Sequence, residues 1–436
     1  MIKKMIFIVA LLPLMCFSQQ ILSGGFKPSK DLSYVFLYKK NPNKSEFIQS
    51  KQLDSLGRFS MALDSTVTAG IYQVIYGLPV QKNNFEIIYN GKENIDFTFY
   101  RDSIITYNES NENKLWRSYL KSIDLVNQTI SKYYLNEDEN KSGFEVIFKT
   151  LEQTQKAYEA SAQGMLVKKF ILANKPYVPK QYEDVGTYSK NLKANYLKHI
   201  DYNDSILQSS SFLIKRVKNY VFDMIEKPSN ETYIQLIDEV VTSINDADAQ
   251  IKEILLSVIW KTFVDKKNDA LVNYIGKKYL LDIVRATQNK QLETFLIGEL
   301  NTAVGNKAPN FEINLSEEIN SLYDLSSHDN YLLIFWSSTC GHCLNELPKI
   351  HEKIKNKTNL KVIAFGIESD TVSWIKEKEK LKLFTHTIGL GKWQNDVVET
   401  YGIKGTPSYF ILDKNLNIAS KPHSLTDLLK ALETIE

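Results

Sequence analysis

The stretch Tyr331-Leu-Leu-Ile-Phe-Trp336-Ser-Ser-Thr-Cys340-Gly-His-Cys343-Leu-Asn-Glu346-Leu-Pro348 decides the fold of the C-terminal part of the chain. Tyr331 to Trp336 is an apolar run of strand length and is predicted to be a buried strand. A short polar turn follows, and two cysteines spaced C-x-x-C then open a helical pattern. Unpaired backbone N–H groups at a helix N-terminus favour negative charge, so a thiolate placed there is stabilised and its pKa falls. Cys340 is therefore the candidate nucleophile. Cys343, one turn further in, is spaced to attack a mixed disulfide that Cys340 would make.

Around this stretch lies a chain of 436 residues, long enough for two or three domains. Its 53 basic and 51 acidic residues leave a formal charge of +2, which gives no electrostatic case for nucleic acid or an anionic membrane surface. The N-terminus reads Met1-Ile-Lys3-Lys4, an apolar run to Phe17, then Ser18-Gln19-Gln20. A basic start, a short apolar run and a small residue before polar sequence describe a secretory signal peptide over 1–18. Cys16 raises the alternative of a lipoprotein, disfavoured by the bulky Met15 before it. With Cys16 in the signal, the remaining cysteines are Cys340 and Cys343. A pair two residues apart closes too small a loop to staple a domain, so its role is chemical.

From 19 to about 110 the sequence alternates short β-rich runs with turn signals. Strands are expected at Ser33–Tyr38, Phe59–Leu63, Ile71–Tyr76, Phe85–Tyr89 and Ile95–Tyr100, with Asn90-Gly91 as a strong hairpin dipeptide. A small antiparallel sandwich or sheet follows, serving as a docking or spacer domain. Over 111–300 the pattern turns helical, with three-and-four spacing in Leu115, Tyr119, Ile123 and Val126 and again in Ile234, Ile237, Val240, Val241 and Ile244. Ser229 is a candidate helix N-cap. Trp116, Tyr119, Tyr133, Tyr134, Phe144 and Phe148 could line a groove, but aromatics at helical spacing are more often core. His199 stands alone and is expected at the surface. From 301 to 436 strands and helices alternate, beginning with a strand at Phe311–Leu315, which implies a mixed sheet with helices on both faces.

Three separated pieces of this last region carry a family resemblance: Lys307-Ala-Pro-Asn-Phe-Glu312, Phe335-Trp336 with Cys340-Gly-His-Cys343, and Tyr401-Gly-Ile-Lys-Gly-Thr406-Pro407-Ser-Tyr-Phe-Ile-Leu-Asp413. Together they resemble thioredoxin-like proteins of the TlpA/ResA kind, with an AhpC/TSA-type domain; these are exported bacterial thiol–disulfide oxidoreductases. The resemblance covers the last third only. The β-rich and helical regions before it look like the uncharacterised N-terminal regions often fused to such modules. It implies an α/β thioredoxin-like fold, Cys340 as attacking and Cys343 as resolving thiol of a redox-active disulfide, and a cis Pro407. A cis X–Pro bond would leave the peptide groups of Thr406 free to pair with a substrate strand. It also implies a kink at Pro348 in the active-site helix.

Departures from that pattern are as informative. Where thioredoxin has a buried aspartate before the site, this chain has Ile334, and Thr339 replaces the usual tryptophan before the first cysteine. Glu346 matches a glutamate of the ResA-like group and shares a helix face with Cys343; it is the candidate proton acceptor, its alternative being a solvated surface carboxylate. A protonated His342 between the cysteines would favour the Cys340 thiolate and make the disulfide more oxidising, as in the isomerases. The direction of electron flow stays open between reductant and disulfide donor or isomerase. A zinc site lacks a second ligand pair. A peroxiredoxin would need proline where Leu333 stands. A non-enzymatic envelope platform would have little reason to keep both thiols and Pro407. The reading is a multi-domain exported oxidoreductase acting on protein thiols and disulfides in the periplasm or cell envelope. It needs no cofactor or metal, and a membrane thiol reductase or oxidase would exchange electrons with it. A place in cytochrome c biogenesis comes from the resemblance alone.

Overall fold

The computed structural model describes residues 20–42, 44–100, 104–136, 141–313 and 320–435. The expected signal peptide with Cys16, and the end of the strand expected at Phe311–Leu315, lie outside these residues. The chain divides into two compact units. One runs to Met224 and takes back Asp246–Ile251; the other holds Ile225–Asn245 and everything from Lys252 onward. The helices of the middle region are shared between them.

Among the described residues the first unit opens with eight strands: β1 (Gln20–Lys27), β2 (Tyr34–Lys40), β3 (Ser45–Gln52), β4 (Arg58–Leu63), β5 (Gly70–Ile75), β6 (Asn84–Tyr89), β7 (Ile95–Tyr100) and β8 (Ile104–Glu109). They form two four-stranded sheets, ordered β4-β1-β7-β8 and β3-β2-β5-β6. Residues of both sheets, among them Phe26, Phe97, Val35 and Val74, share one core, so the arrangement is a sandwich. It is not purely antiparallel, because β1 and β7 run parallel. Asn90-Gly91 closes no hairpin: β6 and β7 belong to different sheets. The Asn90 side chain accepts from the backbone N–H groups of Lys92 and Glu93, and this turn carries the chain across the sandwich.

Among the described residues six α-helices follow in this unit: α1 (Asn111–Leu135), α2 (Lys141–Ser161), α3 (Val167–Ala173), α4 (Val185–Asn195), α5 (Ser205–Gln208) and α6 (Phe212–Lys218). The Glu93 carboxylate accepts from Asn111 N and Glu112 N, so negative charge sits at the N-terminus of α1 where the helix dipole favours it. Buried Asn113 exchanges hydrogen bonds with both backbone groups of Ile88 and ties α1 to the sandwich. Of the six aromatics that could have lined a groove, Tyr119, Tyr133, Phe144 and Phe148 are buried core. His199 is exposed.

In the second unit α7 (Asn230–Ser243) starts at its Ser229 cap, whose side chain accepts from Thr232 N at 3.2 Å. Among the described residues α8 (Ala249–Asp265), whose first residues belong to the first unit, α9 (Asp269–Ile275), α10 (Leu281–Ala286) and α11 (Lys290–Asn301) complete the α-helical run. The α/β part then contains β9 (Asn330–Trp336), α12 (Gly341–Lys353), β10 (Leu360–Glu368), α13 (Val372–Lys378), β11 (Thr385–Leu390), α14 (Asp396–Thr400), β12 (Ser408–Asp413), β13 (Ile418–Ser420) and α15 (Leu425–Leu432). The sheet order is β11-β10-β9-β12-β13. β9, β10 and β11 are parallel, while β12 and β13 run antiparallel to their neighbours. In the described part of the strand expected at Phe311–Leu315, the pairing is an isolated bridge between Glu312 and Ser321, and Phe311 and Ile313 are core residues.

β9 explains why this stretch is so apolar. Tyr331, Leu333 and Phe335 face one core cluster, and Leu332, Ile334 and Trp336 face the other. A central strand covered on both faces has no polar side to show. Its parallel neighbour β10 ends at the same edge, which puts the strand-to-helix turn at the rim of the sheet.

Candidate functional site

β9 stops at Trp336 and the chain turns through Ser337-Ser338-Thr339 to Cys340, the N-cap of α12. The Cys340 backbone N–H donates to Ser337 O at 3.1 Å, closing that turn. Its sulfur accepts from Cys343 N at 3.4 Å and lies 3.2 Å from Thr406 O, to which the thiol donates. Cys340 is partly exposed and Cys343 is fully buried; both are free thiols. Burial pushes the Cys340 thiol up, but hydrogen bonds from the Thr406 side chain, from the Cys343 backbone and thiol and from the His342 backbone outweigh it, leaving the pKa below the ordinary thiol value. Burial pushes the Cys343 thiol up to about 12, with the Cys340 thiol adding to the rise against an opposing backbone bond at Ser337. One thiol is partly exposed with its pKa lowered, its partner buried with its pKa raised.

The other residues singled out from the sequence fall as follows. The Thr406–Pro407 peptide bond is cis and Thr406 faces Cys340. Glu346 is half-buried on α12, and the Tyr409 hydroxyl donates to its Oε2 at 2.7 Å. His342 is exposed. Pro348 lies inside α12. Cys340, Cys343 and Thr406 are thus in direct contact, Glu346 joins them through α12 and Tyr409, and His342 faces solvent.

Two residues of this neighbourhood are not visible from the sequence alone. Glu368 ends β10 and is buried at 3% exposure, where it accepts from Ser338 N at 2.5 Å and from Ser337 Oγ at 3.4 Å. A buried carboxylate with backbone partners fixes the turn before Cys340. Its only sequence signal is an acidic residue closing an apolar strand. Tyr409 is also 3% exposed, and burial followed by its bond to Glu346 raises its pKa well above the usual phenol value. Nothing in its local sequence separates it from an ordinary core tyrosine. Among the described residues no group of three or more His, Cys, Asp or Glu side chains is gathered to hold a metal ion.

With this geometry in place, comparison with known proteins is direct. Residues 304–421 match the model of the AhpC/TSA family. The C-terminal part of the chain is an AhpC/TSA-family domain. It is a thioredoxin-like oxidoreductase domain by that match and by its fold. A thiol-disulfide oxidoreductase ResA from Geobacillus kaustophilus is 26% identical over 185 residues, covering 39% of this chain and 99% of that protein. Among solved structures, the thioredoxin domain of a thiol-disulfide oxidoreductase from Bacteroides vulgatus aligns at 26% identity over 30% of this chain and 96% of its own, with a TM-score of 0.27. A thioredoxin-like protein from Bacteroides caccae aligns at 17% identity over 60% of this chain and 98% of its own, with a TM-score of 0.33.

Proposed function

We propose that this protein is an exported thiol–disulfide oxidoreductase that reduces disulfides of periplasmic or cell-envelope proteins through Cys340 and Cys343. The observation that carries the reading is the split between the two thiols: Cys340, at a helix N-cap, is lowered and accessible, and Cys343, on the same helix, is buried with its pKa raised to about 12. A thiolate nucleophile and a protected resolving thiol are what disulfide exchange requires. The Cys340 thiolate attacks one sulfur of a substrate disulfide. The substrate S–S bond breaks, its second sulfur leaves with the electron pair and takes a proton, and a Cys340–substrate disulfide forms. Cys343 then gives up its proton and attacks the Cys340 sulfur, releasing the substrate's first sulfur as a thiol. Two electrons pass to the substrate and the Cys340–Cys343 disulfide remains. Glu346, three residues from Cys343 on α12, is the acceptor for the Cys343 proton. Peptide groups of Thr406, beside cis Pro407, would pair with the substrate backbone. A membrane thiol reductase would return the pair to the dithiol.

Export is supported by the N-terminal sequence Met1–Ser18. Electron flow toward substrate is supported by the exposure of His342: an imidazole in contact with water acts on the Cys340 sulfur through a high dielectric and favours its thiolate only weakly. The Cys-Gly-His-Cys sequence itself favours the second reading, disulfide donation or isomerisation, because that dipeptide is shared with protein disulfide isomerase. The two readings part on the reduction potential of the Cys340–Cys343 couple, measured by equilibration with glutathione and dithiothreitol buffers. A reductant requires a value near or below about −250 mV; about −180 mV or above would make the protein a disulfide donor.

A further inference from the structure

Tyr409 lies on β12 directly opposite Ile334 of β9. The tyrosine ring packs in the same core cluster as Ile334, Trp336, Cys343 and Leu347, with Cys340 against the cluster's edge. Phenylalanine would fill that space equally well, so the hydroxyl needs its own explanation. It is buried, and it donates to Glu346 Oε2 at 2.7 Å. The ionisable groups set against it are Glu346, Cys343 and Cys340. Glu346 and Cys343 are three residues apart on α12, close enough for their side chains to meet. On an otherwise half-exposed side chain, one fixed oxygen keeps the carboxylate from swinging into water and leaves Oε1 unengaged by Tyr409.

We propose that Tyr409 is a positioning residue for disulfide exchange: it holds Glu346 against the Cys343 face of α12, so that the carboxylate takes the Cys343 proton in the resolving step. The inference deepens the exchange reading above and rests on it. In the step, the proton of Cys343 passes to Glu346 Oε1. The Cys343 sulfur forms its bond to Cys340 Sγ, and the disulfide from Cys340 to the substrate breaks. The electron pair leaves on the substrate sulfur, which takes a proton from Glu346 or from water. Glu368 is not available for this task, since both its oxygens are engaged by the Ser337–Ser338 turn.

The resolving step can be timed on the full-length protein with glutathione disulfide as probe. The reduced protein is mixed with it, quenched in acid at intervals, and the decay of the Cys340–glutathione adduct is followed by mass between pH 5 and 9. Glu346→Gln is expected to slow resolution about a hundredfold at pH 7, the lower end of general acid–base contributions, and Tyr409→Phe about tenfold, the scale of one lost hydrogen bond to a charged group. Because Tyr409 acts through Glu346, the double variant is expected to be no slower than Glu346→Gln alone. The pH profile of Tyr409→Phe is expected to steepen toward the tenfold rise per pH unit that unassisted ionisation of the Cys343 thiol gives, which lost packing alone would not produce. Glu346→Asp, which keeps the charge but draws the carboxylate back from the hydroxyl, is expected to reproduce the Tyr409→Phe result and serves if that variant does not fold. Resolution at the wild-type rate in Tyr409→Phe or Glu346→Asp, or losses that multiply in the double variant with an unchanged pH profile, overturns the inference and leaves the exchange reading standing. A wild-type protein that neither forms nor resolves the adduct overturns both.

Discussion

Cys340 and Cys343 differ by three positions and by nearly everything else that governs a thiol. Cys340 caps a helix and touches water, whereas Cys343 is sealed in the core. Alkylation by iodoacetamide is therefore expected to reach Cys340 at pH values below the ordinary thiol range and to leave Cys343 unmodified; mass mapping of the alkylated site checks this. The buried thiol also ties stability to pH. In the unfolded chain Cys343 ionises near 9.0, while in the fold it keeps its proton to about 12. Between these values the unfolded chain binds fewer protons, so stability falls as pH rises through that window and is unaffected by this group below it. Relative to Cys343→Ala, the wild type is expected to lose up to about 1.4 kcal/mol more per pH unit between pH 9 and 11, read from urea midpoints. At this scale the sequence singles out the thiols, Thr406 and Pro407 because their motifs are local, and the fold places Thr406 against Cys340. Tyr409 and Glu368 are not singled out, since a buried phenol and a strand-end carboxylate acquire a site only when strand register brings them to it.

At the scale of elements, the regularly alternating strands and the strand–helix alternation of the C-terminal part could be read directly, because each buries a periodic face. β1, β3 and β8 were missed, the first two for opposite reasons. β1 carries Gly24 where a Cβ would come within 2.7 Å of the Phe97 ring, so a residue type that ordinarily weakens a strand is here a packing contact. β3 is an edge strand with little buried surface and hence no alternation. The Asn90-Gly91 dipeptide made its turn, but which strands a turn joins is settled by the sandwich core. The same kind of close contact joins α11 to the α/β part. A Cβ on Gly298 would lie 2.6 Å from Gly402 Cα, and Glu299 next to it pairs with Lys404 at 3.2 Å and Lys421 at 3.4 Å. Lys404 sits two residues before Thr406, so α11 braces the loop that faces Cys340. Gly298→Ala is expected to cost about 1–3 kcal/mol in overpacking, offset by a helix-propensity gain of no more than about 1 kcal/mol. Urea unfolding measures the net loss; a stabilised variant would show that the helix and the loop are not in tight contact.

For the whole molecule, length suggests two or three domains but cannot say how the middle helices divide, because amphipathic helices in succession look alike whichever core they join. Two compact units, each with its own buried residues, are expected to unfold in separate transitions. Trp116 lies in the first unit and Trp260, Trp336, Trp374 and Trp393 in the second, so fluorescence of a Trp116→Phe variant follows the second unit alone. Its midpoint in urea is expected to shift between the dithiol and disulfide forms of Cys340 and Cys343, while the transition of the first unit stays in place. A single coincident transition that moves as a whole would show one cooperative unit instead. No helix among the described residues is long and apolar enough to cross a membrane.

The most direct measurement on the whole chain is the trapping of mixed disulfides with protein substrates. Cys343→Ser and Cys340→Ser variants are reduced, exposed to oxidised insulin and to cell-envelope protein, and resolved on non-reducing gels with mass mapping of the linked cysteine. Exchange through Cys340 requires that Cys343→Ser accumulate adducts at Cys340, which dithiothreitol releases, and that Cys340→Ser accumulate none. No adduct in Cys343→Ser, or adducts of equal yield through Cys343 in Cys340→Ser, would contradict the assignment of Cys340 as nucleophile and leave the domain as a binding platform or a site of different chemistry.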